Sequence, residues 1–535
     1  MVAHKLFPKY TYSNKKDSRI KLFITQDGLI RIQPSNKTIA SVLTRQSDPN
    51  IAYDLETNSW TFSVQSYEVV REELKKSKME FTEIPKGALN ILRKTIPSEN
   101  FVLNESVYAT LLPFQKEGVR FALNRNGRII LADDMGLGKT FQALAIAYYY
   151  RLEWPLLIIA PASLLENWSD AVSYLLKEEC IIVRSKSEFG NKISVISYDT
   201  ATKHSEILVG LSHRVIIVDE CHYLKSNTSK RTTTLVPLIQ RATRAILLSG
   251  TPALSRPIEL FPIISAVNNH IFPNFKEYGM RYCAGRKIGH WYDYKGSSNS
   301  EELFHILKKS LLLRRTKDEV LNELPRKFRR QVLLALKTEV QTKSMDLIMQ
   351  QYKEAGELKV EGVKEYITNL LEKKIKFLVF AHHQSVLDEL EEFIIGTGVG
   401  FIKIDGRTAG NQRQSLCNIF QENDSVRIAL LGLTACSTGL TLTAGKAVVF
   451  AELYWNPGTL LQAEDRIHRI GQVDNVDIHY IIAKGTIDEL VWPKLIKKLH
   501  VLESLGIGNN ELKKVKEISI NQEILDDLGM LNRKI

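Results

Sequence analysis

Three stretches of this chain carry side chains whose types and spacing suit phosphate chemistry. The first is RIILADDMGLGKTFQALAIAYYY, residues 128–150, which reads as an apolar strand, a glycine-containing loop and a helix. Gly136 and Gly138 would let such a loop wrap closely around phosphates, with backbone N–H groups and a helix N-terminus facing the anion. Lys139 would then lie on the β- and γ-phosphates of a nucleotide, and the Thr140 hydroxyl on Mg2+. The strict phosphate-loop pattern wants glycine at position 133, where this chain has Asp133. The second stretch, RVIIVDECHYLKS, gives a β-branched strand from Val215 to Val218 that ends in Asp219 and Glu220. A carboxylate at a strand's C-terminal edge sits where a doubly wound sheet holds its ligand. Asp219 would hold Mg2+ and Glu220 would polarise an attacking water. Paired acids can also merely open the next turn, but a phosphate loop upstream favours the site. His222 could couple nucleotide state to the rest of the lobe or make only a local hydrogen bond.

The third stretch is QAEDRIHRIGQ, residues 462–472. Gln462, Arg466 and Arg469 fall at i, i+4 and i+7, which predicts one helix face carrying two guanidiniums and an amide. Arginine supplies a rigid fork for phosphoryl oxygens. The same spacing also fits a solvated face. The other half of a nucleotide site elsewhere in the chain favours arginines that complete that site in cis.

These groups need a scaffold, and the apolar pattern supplies one. Residues 100–325 alternate apolar strands (IILA, PLLIIAPAS, ISVISYD, RVIIVDE, RAILLSGTP) with helices, the pattern of a parallel α/β sheet. Residues 326–500 repeat it with KFLVFAHH, FIKIDGR, VRIALLGL, AVVFAEL and VDIHYII. Residues 28–95 read as short strands and helices of a small α+β domain; Trp60, Phe62 and Val64 alternate onto one face, and SYEVVREELKKSK is helical. Residues 1–27 are expected to be a basic arm, and 501–535 a tail.

Composition narrows the partners. A net charge of +12 and 44% hydrophobic residues exclude global disorder and favour a polyanionic partner. Five cysteines, Cys180, Cys221, Cys283, Cys417 and Cys436, form no CxxC pair. They predict thiols in a reducing compartment, with neither zinc nor disulfides. No apolar run approaches the roughly 20 residues a bilayer needs, and no signal peptide is visible.

In order and spacing the motifs resemble a Swi/Snf-type ATPase of helicase superfamily two, across residues 108–500. PFQKEGVRF at 113–121 resembles the motif that reads adenine, through Gln115. IIAPASLLENW at 158–168 resembles an element that contacts a DNA strand, which points to Pro161 and Asn167. LSGTP at 248–252 resembles the coupling motif, through Ser249 and Thr251. LLLRRTKDEVLNELPRK at 311–327 is a hallmark of this family, and VFAHH, IDGRT and LTACSTGLTLTA follow in the second half. The resemblance implies two RecA-like parallel-sheet lobes with helical insertions, ATP and Mg2+ as cofactors, and Arg407 and Thr434 at the DNA. Each element has a plainer reading. Gln115 could lie on a helix surface, LSGTP could be a strand-ending turn, and Thr434 to Thr443 could be a buried junction. RKFRR at 326–330 could be a nuclear address, a solvated face or, through Arg326 and Lys327, a phosphate contact between the lobes; the last is favoured.

Residues 450–495 resemble the annealing-helicase (HepA-related protein, SMARCAL-like) branch, with Glu464 and NVDIHYIIAKGT as the discriminating details. Residues 36–74 resemble the HARP domain that precedes the motor in that branch. The branch implies a monomeric nuclear motor that tracks on double-stranded DNA, rewinds separated strands and remodels stalled forks in DNA repair. It further implies branched DNA and single-strand-binding protein as partners; the short basic arm offers no evident dock for the latter. A nucleosome remodeller, an RNA-polymerase recycling ATPase and a DNA-binding scaffold with an inactive motor are the alternatives. The first is disfavoured because no chromatin-reading appendage is visible, the second by the HARP-like region, and the third by the intact acids, Lys139 and arginines.

Overall fold

The computed structural model describes residues 19–95, 101–103, 105–250, 256–321, 325–334, 348–434, 440–469, 471–504 and 516–519. They form two compact units. One comprises residues up to Thr95 together with Glu301–Lys309, and the other holds the rest.

The small unit is built on β1 (Ile20–Ile24), β2 (Ile30–Gln33), β3 (Ala52–Asp54), β4 (Ser59–Phe62) and β5 (Phe81–Thr82), in the order β3-β4-β2-β1-β5. The sheet is mixed, because β1 pairs parallel to β5 and the other neighbours are antiparallel. Ile20, Leu22, Ile24, Ile30 and Ile32 are buried, as are Trp60 and Phe62, so strand alternation sets this core. Trp60 is a core residue whose indole N–H donates to Ser35 Oγ at 2.9 Å. The basic arm expected over residues 1–27 needs correction, since a strand of this sheet starts at Ile20. Lys21, among alternating apolar residues and next to a basic stretch, hid a period-two strand. A second difference is the helix Ser300–Ser310. Its Glu302 carboxylate accepts the Ile24 N–H at 2.9 Å, and Lys309 donates to the Leu92 carbonyl at 2.7 Å. Gly28, at φ +80°, leaves room for His305, whose Nε2 would lie 2.7 Å from a Cβ there. A helix that lies inside the motor sequence thus completes the small unit.

The large unit contains two all-parallel sheets. Its first sheet uses β6 (Arg128–Leu131), β7 (Leu156–Ala160), β8 (Ile181–Val183), β9 (Ile193–Ser197), β10 (Val215–Val218) and β11 (Arg244–Leu248). A hairpin, β12 (Arg286–Ile288) and β13 (Trp291–Asp293), precedes the edge strand β14 (Leu312–Leu313), and the sheet order is β14-β6-β11-β10-β7-β9-β8. The second sheet uses β15 (Lys327–Leu334), β16 (Phe377–Ala381), β17 (Gly400–Ile404), β18 (Val426–Gly432), β19 (Ala447–Phe450), β20 (Val476–Ala483) and β21 (Lys516–Ser519), in the order β17-β18-β16-β19-β20-β15-β21. Every residue of β7, β10, β16 and β19 is buried, as strands covered by helices on both faces must be. The β6-β11-β10 order brings the glycine loop, Ser249 and the Asp219–Glu220 pair out at one sheet edge. The sequence pattern had missed β8, β14, β15 and β21, which are short or charged.

Cys180, Cys221, Cys283 and Cys417 carry free thiols, and Cys436 lies outside the described residues. Among the described residues no helix is long and apolar enough to cross a membrane.

Candidate active site

The glycine loop is held from several sides. Gly136 (φ +86°) and Gly138 (φ +70°) adopt the left-handed backbone that glycine accommodates, and Lys139 opens the helix Lys139–Tyr149 with Thr140 in its first turn. Lys139 Nζ donates to the carbonyls of Asp133 and Asp134 at 2.8 and 3.2 Å. Gln115 is buried rather than on a helix surface. Its Oε1 accepts the Leu112 N–H at 2.9 Å and its Nε2 donates to the Leu137 carbonyl at 3.1 Å. A Cβ on Gly138 would sit 2.4 Å from Gln115 Nε2, so the amide braces the loop directly.

Asp133, the departure from the strict pattern, is an anchor. Its buried carboxylate accepts from Arg315 Nε at 3.1 Å and Nη2 at 2.5 Å, and from Gln142 Nε2 at 3.0 Å. Gly118 makes space for this network, since a Cβ there would meet Gln142 Oε1 at 2.0 Å. Asp134 accepts from Arg314 Nη2 at 3.0 Å and from the Lys317 N–H at 3.1 Å. The RRTK segment therefore grips both acids ahead of the loop.

At the end of β10, Asp219 accepts the Trp168 indole N–H at 2.8 Å and the Glu220 N–H at 2.9 Å. Glu220 stands at φ +50°. His222 Nδ1 lies 3.1 Å from both Glu220 Oε2 and Ser249 Oγ, so it joins the acid to the coupling serine. Thr251 lies outside the described residues. Burial, then the charge of Glu220, raises the Asp219 carboxyl above its usual range. Burial acts on Glu220 too, but His222, Lys139 and Arg466 outweigh it and hold that group low. The two neighbouring acids thus have opposite proton affinities, a pattern suited to distinct roles.

The second lobe supplies the arginines, with one correction. The helix Pro457–Glu464 contains Gln462, which is buried, but ends at Glu464. Arg466 and Arg469 follow in turns, not on the expected helix face. At that point two successive acids take up cations from other elements. Glu464 is buried and accepts from Arg329 Nε at 2.8 Å, Lys327 Nζ at 3.1 Å and the Tyr480 hydroxyl at 2.5 Å. Asp465 accepts from Lys317 Nζ at 2.8 Å. Arg466 is buried and donates through Nε to the Gln462 carbonyl at 3.1 Å. Arg469 donates to the Asp465 carbonyl at 2.7 Å and to Thr441 Oγ1 at 3.0 Å. A Cβ on Gly136 would lie 3.1 Å from Arg469 Cγ, so the arginine segment rests on the phosphate loop. Burial and then the Arg466 charge push the Arg469 guanidinium below its usual range. Lys139 is lowered by burial as well. A cluster of cations beside glycine N–H groups and two acids fits a polyphosphate with its divalent cation.

The other candidates lie elsewhere. Lys327 is committed to Glu464 and Asp465, which corrects its reading as a phosphate contact; strand β15 turns Lys327 and Arg329 towards buried acids. Arg326 and Asn167 are exposed, Pro161 is buried, and Thr434 is exposed after β18. Arg407 is half-exposed and pairs with Asp388 and Asp405 at 2.7 and 2.8 Å. Trp168, Arg314, Arg315, Lys317 and Asp465 also belong to the site, though local spacing does not mark them. One signal was present: an acid pair before the loop and an arginine pair in LLLRRTK are complementary.

Residues 114–377 match the SNF2-related domain and residues 358–471 the helicase conserved C-terminal domain. The chain is 40% identical over 506 residues to the SWI/SNF-related matrix-associated actin-dependent regulator of chromatin subfamily A-like protein 1 of Xenopus tropicalis, covering 87% of this chain and 53% of that protein. It is 41% identical over 456 residues to the DNA annealing helicase and endonuclease ZRANB3 of Bos taurus, covering 78% and 42%. The chain spans about half the length of such relatives. The Caenorhabditis elegans homologue of the first is 37% identical over 536 residues, covering 92% of this chain and 77% of that protein. With two parallel lobes meeting at a phosphate loop, and this identity over most of the worm protein, the chain belongs to the SMARCAL-like branch of the SNF2-related ATPases.

Proposed function

We propose that the chain is a DNA-dependent ATPase that tracks along duplex DNA, rewinds separated strands and remodels stalled replication forks in the nucleus. The observation that carries the ATPase reading is Arg469 lying on Gly136, with Lys139, Asp219 and Glu220 at the same sheet edge. In this reading Gly136, Gly138 and Lys139 hold the phosphates of ATP, Gln115 and Gln462 line the nucleotide, and Thr140 and Asp219 hold Mg2+. When bound, Mg2+ supplies positive charge to the β- and γ-phosphate oxygens. Glu220, kept ionised by its cationic neighbours, accepts a hydrogen bond from the attacking water and so orients and polarises it. Arg466 and Arg469 stabilise the charge that develops on the transferred phosphoryl group. His222, between Glu220 and Ser249, passes the state of the γ-phosphate to the coupling segment.

Because the site is made by both lobes, binding and loss of phosphate favour different lobe separations. Contacts with the DNA backbone, from candidates such as Pro161, Asn167, Arg326, Arg407 and Thr434, turn that cycle into sequence-neutral, salt-sensitive stepping. The rewinding direction rests on kinship with proteins named as annealing helicases, and the small unit is the proposed reader of branched DNA. The test is a plasmid bubble coated with single-strand-binding protein. ATP-dependent closure of the bubble is expected, and opening of duplex without closure would overturn the rewinding reading.

A further inference from the structure

The insertion between β11 and β14 carries the hairpin β12–β13, and its two faces differ. Ile288 pairs with Trp291, Lys287 with Tyr292, and Arg286 with Asp293, so opposed residues share a face. The Gly289–His290 connection is a two-residue turn with Gly289 at φ +60°, the kind of turn that fixes hairpin register. One face is anchored to the helix Phe275–Tyr282. Lys276 Nζ sits 4.8 Å over the Tyr292 ring, which stacks on Tyr294 at 6.0 Å, and Tyr294 packs 5.3 Å from Phe275. A Cβ on Gly279 would collide with the Tyr294 ring at 2.5 Å, so glycine at that position lets the hairpin seat. The opposite face presents Trp291, 56% exposed, and Ile288, 38% exposed. Beside them Arg286 holds Asp293 at 3.2 Å while staying largely exposed.

An anchored hairpin that displays an indole is a defined surface, and its charge selects a partner. Lys276, Arg281, Arg286, Lys287 and Lys295 stand against Glu277 and Asp293 between residues 276 and 295. The apolar face amounts to two side chains, too little for a stable protein interface. Duplex DNA needs only the cations, because its base faces are already stacked. An unpaired base offers a free face for the indole, with its phosphates beside the cations.

We propose that Trp291 and the β12–β13 hairpin bind unpaired DNA at a strand junction, the indole stacking on an exposed base and Arg286, on the same face, meeting an adjacent phosphate. The proposal deepens the fork reading of the proposed function and rests on it. The test measures binding of the full chain to a single-stranded oligonucleotide, to a fork with two unpaired arms and to a blunt duplex. Trp291→Ala is expected to weaken the single strand and the fork about tenfold, with the duplex changed less than about twofold, and Trp291→Phe to restore most of the loss. Unchanged single-strand binding, or an equal loss on duplex, would overturn the proposal. In a second measurement, 5-iododeoxyuridine is placed in an unpaired arm next to the junction and irradiated with the wild-type chain. A crosslink mapped to Trp291 is expected, and crosslinks that spare the hairpin contradict the assignment. If the wild type shows no preference for forks over duplex, the fork reading falls, while the crosslink still decides what the hairpin binds.

Discussion

Asp133 and Glu464 show how single residues here serve the site by holding others. Asp133 gives up the glycine of the strict phosphate-loop pattern and gains Arg315 and Gln142 as buried partners. Glu464, read from the sequence as a branch marker, anchors Lys327 and Arg329 beside Tyr480. Burial opposes its charge, but Arg329 and Lys327 prevail and hold its carboxyl at about 2. Removing one member of a buried ion pair leaves the other uncompensated. Glu464→Gln should therefore destabilise the large unit by about 3–5 kcal/mol, read from denaturant unfolding at neutral pH. The folded-state value lies below the unfolded one near 4.5, so this stabilisation is present above about pH 4.5 and is lost as pH falls towards 2. The gap between wild type and variant should close over that window. A gap that stays constant with pH would show that the carboxylate charge is not the source.

At the scale of elements, the segment that follows β14 connects the two halves of the site. Arg314 and Arg315 hold Asp134 and Asp133 ahead of the glycine loop, and Lys317 reaches Asp465, which immediately precedes the two proposed arginine fingers. Lys317 lies close to its partners on both lobes, so its loss should misplace Arg469 rather than unfold either sheet. Misplacement by about 1 Å costs on the order of 100-fold in rate. Lys317→Ala is expected to lower ATP turnover by roughly that factor, with ATP KM changed far less. Unaltered turnover would remove the segment from the mechanism. The sequence showed the sheets plainly, because β7, β10, β16 and β19 are runs of apolar residues. It showed the glycine loop and the acid pair equally well, since local spacing sets both. It concealed β15, whose lysine and arginine read best as a phosphate contact between the lobes until Glu464 supplies their buried partner. It also suggested a helix through Arg469, because periodicity cannot register the tertiary ion pairs that Glu464 and Asp465 make where the helix stops.

At the scale of the whole molecule, the chain is two compact units, and the smaller one borrows residues 301–309 from within the motor sequence. No local pattern announces that loan. Ile24 and Glu302 are far apart in sequence and meet through a buried hydrogen bond of 2.9 Å. In the proposed function, the two lobes of the large unit make one hydrolytic site that DNA switches on. The direct measurement is phosphate release from ATP by the full chain, with and without fork DNA, for the wild type, Lys139→Ala and Arg469→Ala. The wild type should be stimulated by DNA. Arg469→Ala should lose on the order of 1,000-fold in turnover, as for other arginine fingers supplied to a phosphoryl group, and Lys139→Ala should fall to background. Phosphate release by the wild type that ignores DNA, or an Arg469→Ala variant that turns over like the wild type, would contradict it.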